Sequence, residues 1–338
     1  MTQAPASPRP RRLLLKFAIG LLISAGLIGF LLRYVDRQAL AQLVSAASWW
    51  PLLAGLGLFG VMYGVRTARF VLVAPRTPRL TMFWIASVHT LLLRIMPLRT
   101  GDLSYAFLVR RAGTAGLGES LIDLLVVRLL DAVVVTLLFC AALVLREGSG
   151  VGQRVGLFAA IALAGLLALV YLAHLLRLGL ALLRGLLRLV GLEQRPAVGR
   201  LLARVASVVA TYDKTGPAML AKLTTATTGI WLLHFATYAL IVRALGLPIG
   251  FLETMLGGAA SVASSFLPIG GIGTFGTLEV GWVLGFVLVG LDREQAVLSG
   301  LGVSLATFGY AVIFGLIGWI GLLSGQRRPD RQDDRADS

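Results

Sequence analysis

Residues 295–323 read QAVLSGLGVSLATFGYAVIFGLIGWIGLL, an uncharged stretch longer than the ~20 residues a helix needs to cross a bilayer core of about 30 Å. No water is present at that depth to bond the backbone, so such a segment must satisfy its N–H and C=O groups internally, as a helix does. Similar apolar stretches run over Leu13 to Leu32, Trp49 to Val65, Ser120 to Leu145, Val155 to Leu176, Leu223 to Val242 and Gly273 to Leu291. Together they predict an all-α fold, a polytopic transmembrane helical bundle of about 7–9 membrane segments. Composition agrees. Of 338 residues, 57% are hydrophobic and 14% charged, and mean hydropathy is +0.85, a balance that excludes an ordinary soluble domain.

The expected organisation is a disordered segment over 1–12, a single membrane domain over 13–324 and a disordered polar tail over 325–338. No small-x-small cleavage site follows the first apolar stretch, which reads as an uncleaved span. The net charge of +15 would suggest nucleic acid in a soluble protein. Here the cations lie between apolar segments, which fits a positive-inside bias and anionic lipid head groups better, so no nucleic acid is expected. Arg9, Arg11, Arg12 and Lys16 place the N-terminus in the cytoplasm, and Arg66, Arg69, Arg76 and Arg79 are expected there after the second span. Trp49 and Trp50 mark the far interface. The basic region 177–222 carries Arg177, Arg184 and Arg188 at helical spacing opposite leucines, the pattern of an amphipathic helix on the cytoplasmic surface.

Two stretches are too short for ordinary spans. Leu80 to Leu93 is apolar for about 14 residues before Arg94, then meets Pro97 and Gly101. Thr254 to Leu267 has the same length and is followed by Pro268, Gly270, Gly271 and Gly273. Both predict re-entrant or broken helices, one in each half of the chain, as in inverted repeats. Unpaired backbone at that depth is tolerable only against protein or a wet cavity, and a restarted helix presents a positive end to an anion. A proline kink or an interfacial loop is the plainer alternative. Asp102 follows the first break and Glu279 the second, each able to bind a cation, carry a proton or simply sit at a helix N-terminus.

Arg128 and Asp131, three apart, can pair within the membrane as a lock or a substrate contact. Arg99, Arg110 and Arg111 could hold phosphate, or serve as ordinary anchors. Cys140, alone in the sequence, reads as apolar packing, and His89, His174 and His234 show no ligand spacing, so no metal and no cofactor are assigned.

The ordered set MPLRTGDLSYAFLVRR (96–111), LLVVRLLD (124–131) and LPIGGIGTFGTLEV (267–280) resembles the lysylphosphatidylglycerol synthase transmembrane-region family, over about residues 10 to 325. The resemblance implies a flippase-like membrane domain whose members are similar to lipid translocases or partners of lipid-modifying enzymes. It also implies a substrate-binding set. Pro97, Gly101 and Asp102 match one motif, Arg128 and Asp131 a second, and Pro268, Gly270, Gly271, Gly273 and Glu279 a third, with Thr274 to Leu278 between the last glycine and the acid. The stretch after Leu323 is too short for an aminoacyltransferase domain, so aminoacyl-lipid synthesis is not expected.

The function expected is translocation of a phospholipid or other anionic lipid across the bacterial inner membrane, through a groove between the two breaks. A non-transporting partner of a lipid-modifying enzyme is the alternative. A lipid-linked transferase ranks lower, because such chemistry needs clustered acids or histidines and these are scattered. No phosphate-binding P-loop appears.

Overall fold

The structure, a computed structural model, describes residues 47–96, 100–147, 172–189, 217–265, 277–288 and 290–325, with isolated positions elsewhere. Every regular element among them is an α-helix. In chain order these are α1 (Trp49–Val73), α2 (Arg79–Ile95), α3 (Asp102–Arg111), α4 (Leu117–Glu147), α5 (Leu172–Leu189), α6 (Pro217–Ala244), α7 (Phe251–Ser265), α8 (Thr277–Leu288) and α9 (Arg293–Gly325). Four of them, α1, α4, α6 and α9, are long and apolar enough to cross a membrane. The expected span over 13–32 lies outside the described residues, and so does that over 155–176, apart from isolated positions and residues 172–176, which begin α5.

Prolines and glycines set the boundaries. Helix α1 stops at Val73 because Pro75 disfavours helical backbone at Ala74, and α2 stops at Ile95 because Pro97 does the same at Met96. Helix α6 opens on Pro217 and closes where Gly246 turns left-handed, φ 69°, while Leu247 N–H donates to Val242 O at 3.3 Å. Helix α9 is capped by the Asp292 carboxylate, which accepts from Glu294 N–H at 2.9 Å.

The chain divides into two compact units. The first comprises 1–60, 87–104 and 234–319; the second comprises 61–86, 105–233 and 320–338. In the first, Phe59 packs against His234, Tyr310 and Phe314, and Tyr238 meets Trp282 edge-on. In the second, Phe70, Met82, Ile85, Tyr105, Val109, Leu124 and Val127 form one core cluster, and Val126, Leu130, Val133 and Leu223 form another.

One expectation is corrected. Helix α1 continues eight residues past Val65, so Arg66 and Arg69 lie within it and not beyond its end. Nothing between Gly64 and Pro75 stops a helix. Of the segment expected to cross over Gly273 to Leu291, the described helix is the 12-residue α8, about 18 Å long, while 273–276 and 289 lie outside the described residues. The described amphipathic helix is α5, from Leu172 to Leu189, and residues 217–222 lie in α6.

Candidate functional site

At the first break, α2 ends and α3 restarts against it. A Cβ on Gly101 would stand 2.5 Å from Leu92 O and 2.8 Å from Leu93 Cα, both backbone atoms that cannot swing aside. Only glycine permits this approach. Ser104 holds the corner by donating its hydroxyl to Gly101 O at 2.6 Å, and its oxygen lies 2.8 Å from Nδ1 of buried His89. Asp102, half-buried, occupies the first turn of α3, where the positive end of the helix dipole favours a carboxylate. Pro97 and Arg99 lie outside the described residues.

The second break is a helical hairpin. Its arms, α7 and α8, are about 22 and 18 Å long by helical rise, and each is shorter than a bilayer core. They run antiparallel along a seam of small residues. Position Cβ of Gly285 would lie 2.7 Å from Ala260 Cβ and 2.9 Å from Gly257 Cα, and that of Gly281 2.9 Å from Ala260 O. Ser261 donates its hydroxyl across the seam to Leu278 O at 2.7 Å. Small residues let backbones meet this closely where lipid supplies no hydrophobic drive between helices. Glu279, 1% exposed, stands in the first turn of α8. Pro268, Gly270, Gly271 and Gly273 lie outside the described residues.

In the second unit a charged cluster is buried among apolar helices. Arg69, 3% exposed, donates from one Nη1 to Asp131 Oδ1 at 2.5 Å and to Thr227 Oγ1 at 3.1 Å. Trp231 Nε1 donates to the same Asp131 oxygen at 3.0 Å. Arg66, one turn before Arg69, lies over the Tyr63 ring at 5.7 Å and within electrostatic reach of Arg69, Asp131 and half-buried Arg128. Asp123, also buried, acts on Tyr105, whose ring stacks on Phe70 at 4.5 Å. These three arginines and two aspartates leave one more cation than anion. A burial of that kind is costly unless it is paired, bonded or opened to an anionic group.

Residues 17–315 match the family described as the lysylphosphatidylglycerol synthase TM region. The chain belongs to that family. The match takes in both breaks and the buried cluster, and it makes this a membrane domain related to lipid handling. No curated protein and no solved structure matches the chain.

The family motifs and the structure overlap unevenly. Gly101, Asp102, Asp131 and Glu279 sit where the backbone turns or where charge is buried, but the ion pair that Asp131 makes with Arg69 reaches outside all three motifs. Sequence reasoning passed over Arg69, Thr227, Trp231, His89 and Ser104. For Arg69 a signal existed: Arg66 and Arg69 share a helical face, and no breaker separates them from the preceding span. For Thr227 and Trp231 none did, since their partners, Arg69 and Asp131, lie 158 and 100 residues away.

Proposed function

We infer that the protein is a lipid translocase of the inner membrane, moving a phospholipid or other anionic head group past its interrupted helices while the tails stay in the bilayer. The observation that carries this reading is the α7–α8 hairpin: two arms too short to cross, joined through a proline- and glycine-rich segment, with the Glu279 carboxylate buried at the start of the second arm. A polar path through lipid needs interrupted backbone, because irregular segments at that depth must face protein or water. The first break adds a restarted helix whose N-terminal turn holds Asp102. In this reading the half-helix ends meet the phosphate and the two acids respond to a cation or proton. In this reading the basic flank of the first apolar stretch keeps the N-terminus in the cytoplasm.

The test is lipid movement between the leaflets of proteoliposomes carrying fluorescent phospholipids. Asp102→Asn and Glu279→Gln should each slow movement at least tenfold relative to wild type, with folding checked by monodispersity. Movement at the wild-type rate in both variants refutes the assigned roles.

One observation favours a second reading, a membrane partner that docks a lipid-modifying enzyme. Helix α5 exposes Leu182 and Leu186 on the face opposite its arginines, with exposed Leu178 and Leu189 beside them. Co-purification of an enzyme, with no lipid movement by the isolated protein, would support it.

A further inference from the structure

A separate groove opens in the first unit, away from both breaks in sequence. It encloses about 650 Å³ and is lined by Leu58 of α1, by Ala236, Ala239, Leu240 and Arg243 of α6, and by Phe251 where α7 begins. The α6 residues follow the i, i+3, i+4, i+7 pattern, so they form one stripe along one face of the helix. From Arg243 to Ala236 that stripe runs about 10 Å by helical rise.

The stripe is graded. At one end stands Arg243, exposed and with no hydrogen bond or ion pair to its guanidinium among the described residues. From there inward the α6 wall is alanine and leucine, with the alanines leaving the width. Leu58 lies about 14 Å along α1 from Trp49.

The level of the cation is also set. Ser48 N–H donates to Ala244 O at 2.8 Å, which joins the start of α1 to the end of α6. Next to this junction Trp49 and Trp50 are each 66% exposed and stacked edge-on at 5.5 Å. Exposed tryptophans at the end of a span mark the head-group level of a bilayer. Arg243 therefore stands at head-group depth, and the alanine stripe descends from it into the acyl region.

We propose that this groove is a phospholipid-binding site in which Arg243 holds the phosphate and one acyl chain lies along Ala239, Ala236 and Leu58. A guanidinium takes a phosphate with two parallel hydrogen bonds, which makes it a better partner for a phospholipid head group than a point charge would be. A free phosphate would gain nothing from the apolar depth, and an uncharged lipid nothing from Arg243. The site does not depend on the transport reading; its lipid is bound at the edge of the unit whether or not lipid moves past the breaks.

The test is native mass spectrometry of the full chain, delipidated and then offered phosphatidylglycerol or diacylglycerol with the same acyl chains. Wild type should retain one phosphatidylglycerol under activation that strips the others, and should not retain diacylglycerol. Arg243→Gln should cut retention roughly tenfold, the effect of losing one charge-assisted contact, while Arg243→Lys should keep most of it. Ala239→Trp, which fills the groove and leaves the charge in place, should abolish it. Equal retention of diacylglycerol, or wild-type retention by either Arg243→Gln or Ala239→Trp, overturns the proposal. Arg243 is exposed, so its substitution should leave the fold intact, which unchanged thermal unfolding would confirm.

Discussion

Arg69 and Asp131, 62 residues apart in sequence, form an ion pair with side chains 3% and 6% exposed, inside two helices long enough to cross a membrane. Neither charge could remain there alone. Removing one partner leaves an uncompensated buried charge, which costs about 3–5 kcal/mol, whereas replacing both by apolar residues of similar volume is far cheaper. Asp131→Ala should therefore destabilise the detergent-solubilised protein by about that amount, and Arg69→Met with Asp131→Leu by much less. Thermal unfolding of both variants checks this. A double variant as unstable as the single one would mean that the pair is not a closed unit.

The corner at Gly101 makes a sharper demand, because its neighbour is a carbonyl and not a movable side chain. Gly101→Ala forces α3 away from α2 and should cost about 1–3 kcal/mol, the usual range for overpacking. Ser104→Ala and His89→Ala remove successive links of one short chain of hydrogen bonds, so their effects should not add. If the double variant lost the full sum of the two single losses, the links would be independent and the corner would rest on Gly101 alone. Lipid movement, measured in the same variants, should fall with Gly101→Ala even where the protein still folds.

Helix existence was legible because long uncharged segments such as residues 295–323 admit one solution in a bilayer. So was the presence of two breaks, since proline and glycine act on the backbone locally. What local rules do not carry is partnership. The carboxylate of Asp131 was assignable to the adjacent Arg128 by helical spacing, yet the partner the fold supplies is Arg69, together with the indole of Trp231 from a third helix. Nor was the end of α1 legible: Arg69 read as lying past the apolar run, and it lies within the helix, where Asp131 and Thr227 bond it. The hairpin was half legible. Residues 254–267 showed a short arm, and the apolar stretch after the glycines looked long enough to cross, while the helix described there is α8, from Thr277 to Leu288.

Close packing of α7 on α8 depends on the absence of side chains at Gly281 and Gly285. Gly285→Leu would drive four carbons into Ala260 and Gly257, and no flexible group lies in the way to yield. It should separate the arms at a cost above about 3 kcal/mol, whereas Ser261→Ala should cost only about 1 kcal/mol for its single hydrogen bond. Thermal unfolding in detergent reads the two costs directly; a loss with Gly285→Leu no larger than that with Ser261→Ala would mean the seam tolerates bulk.

The face of α5 decides between transport alone and docking. Arg177, Arg184 and Arg188 fall within about 40° of one another around the helix, and Leu182 and Leu186 lie opposite them, both exposed. A helix so divided lies in the interface with its leucines among acyl chains and its cations at phosphates. A partner-docking face would instead stay in water until the partner arrives. Cys140 is the single cysteine and is buried, so Cys140→Ser gives a clean background for one environment-sensitive dye. Placed at Leu186→Cys in proteoliposomes, the dye should report an apolar setting and be quenched by lipid-borne bromine; placed at Arg184→Cys it should report water. Charge reversal at Arg177, Arg184 and Arg188 should shift the Leu186 dye toward water in anionic bilayers and less so in zwitterionic ones, since each cation near an anionic surface contributes about 1 kcal/mol. A dye at Leu186 that remains in water in both bilayers would free this face for a protein partner and favour the docking reading.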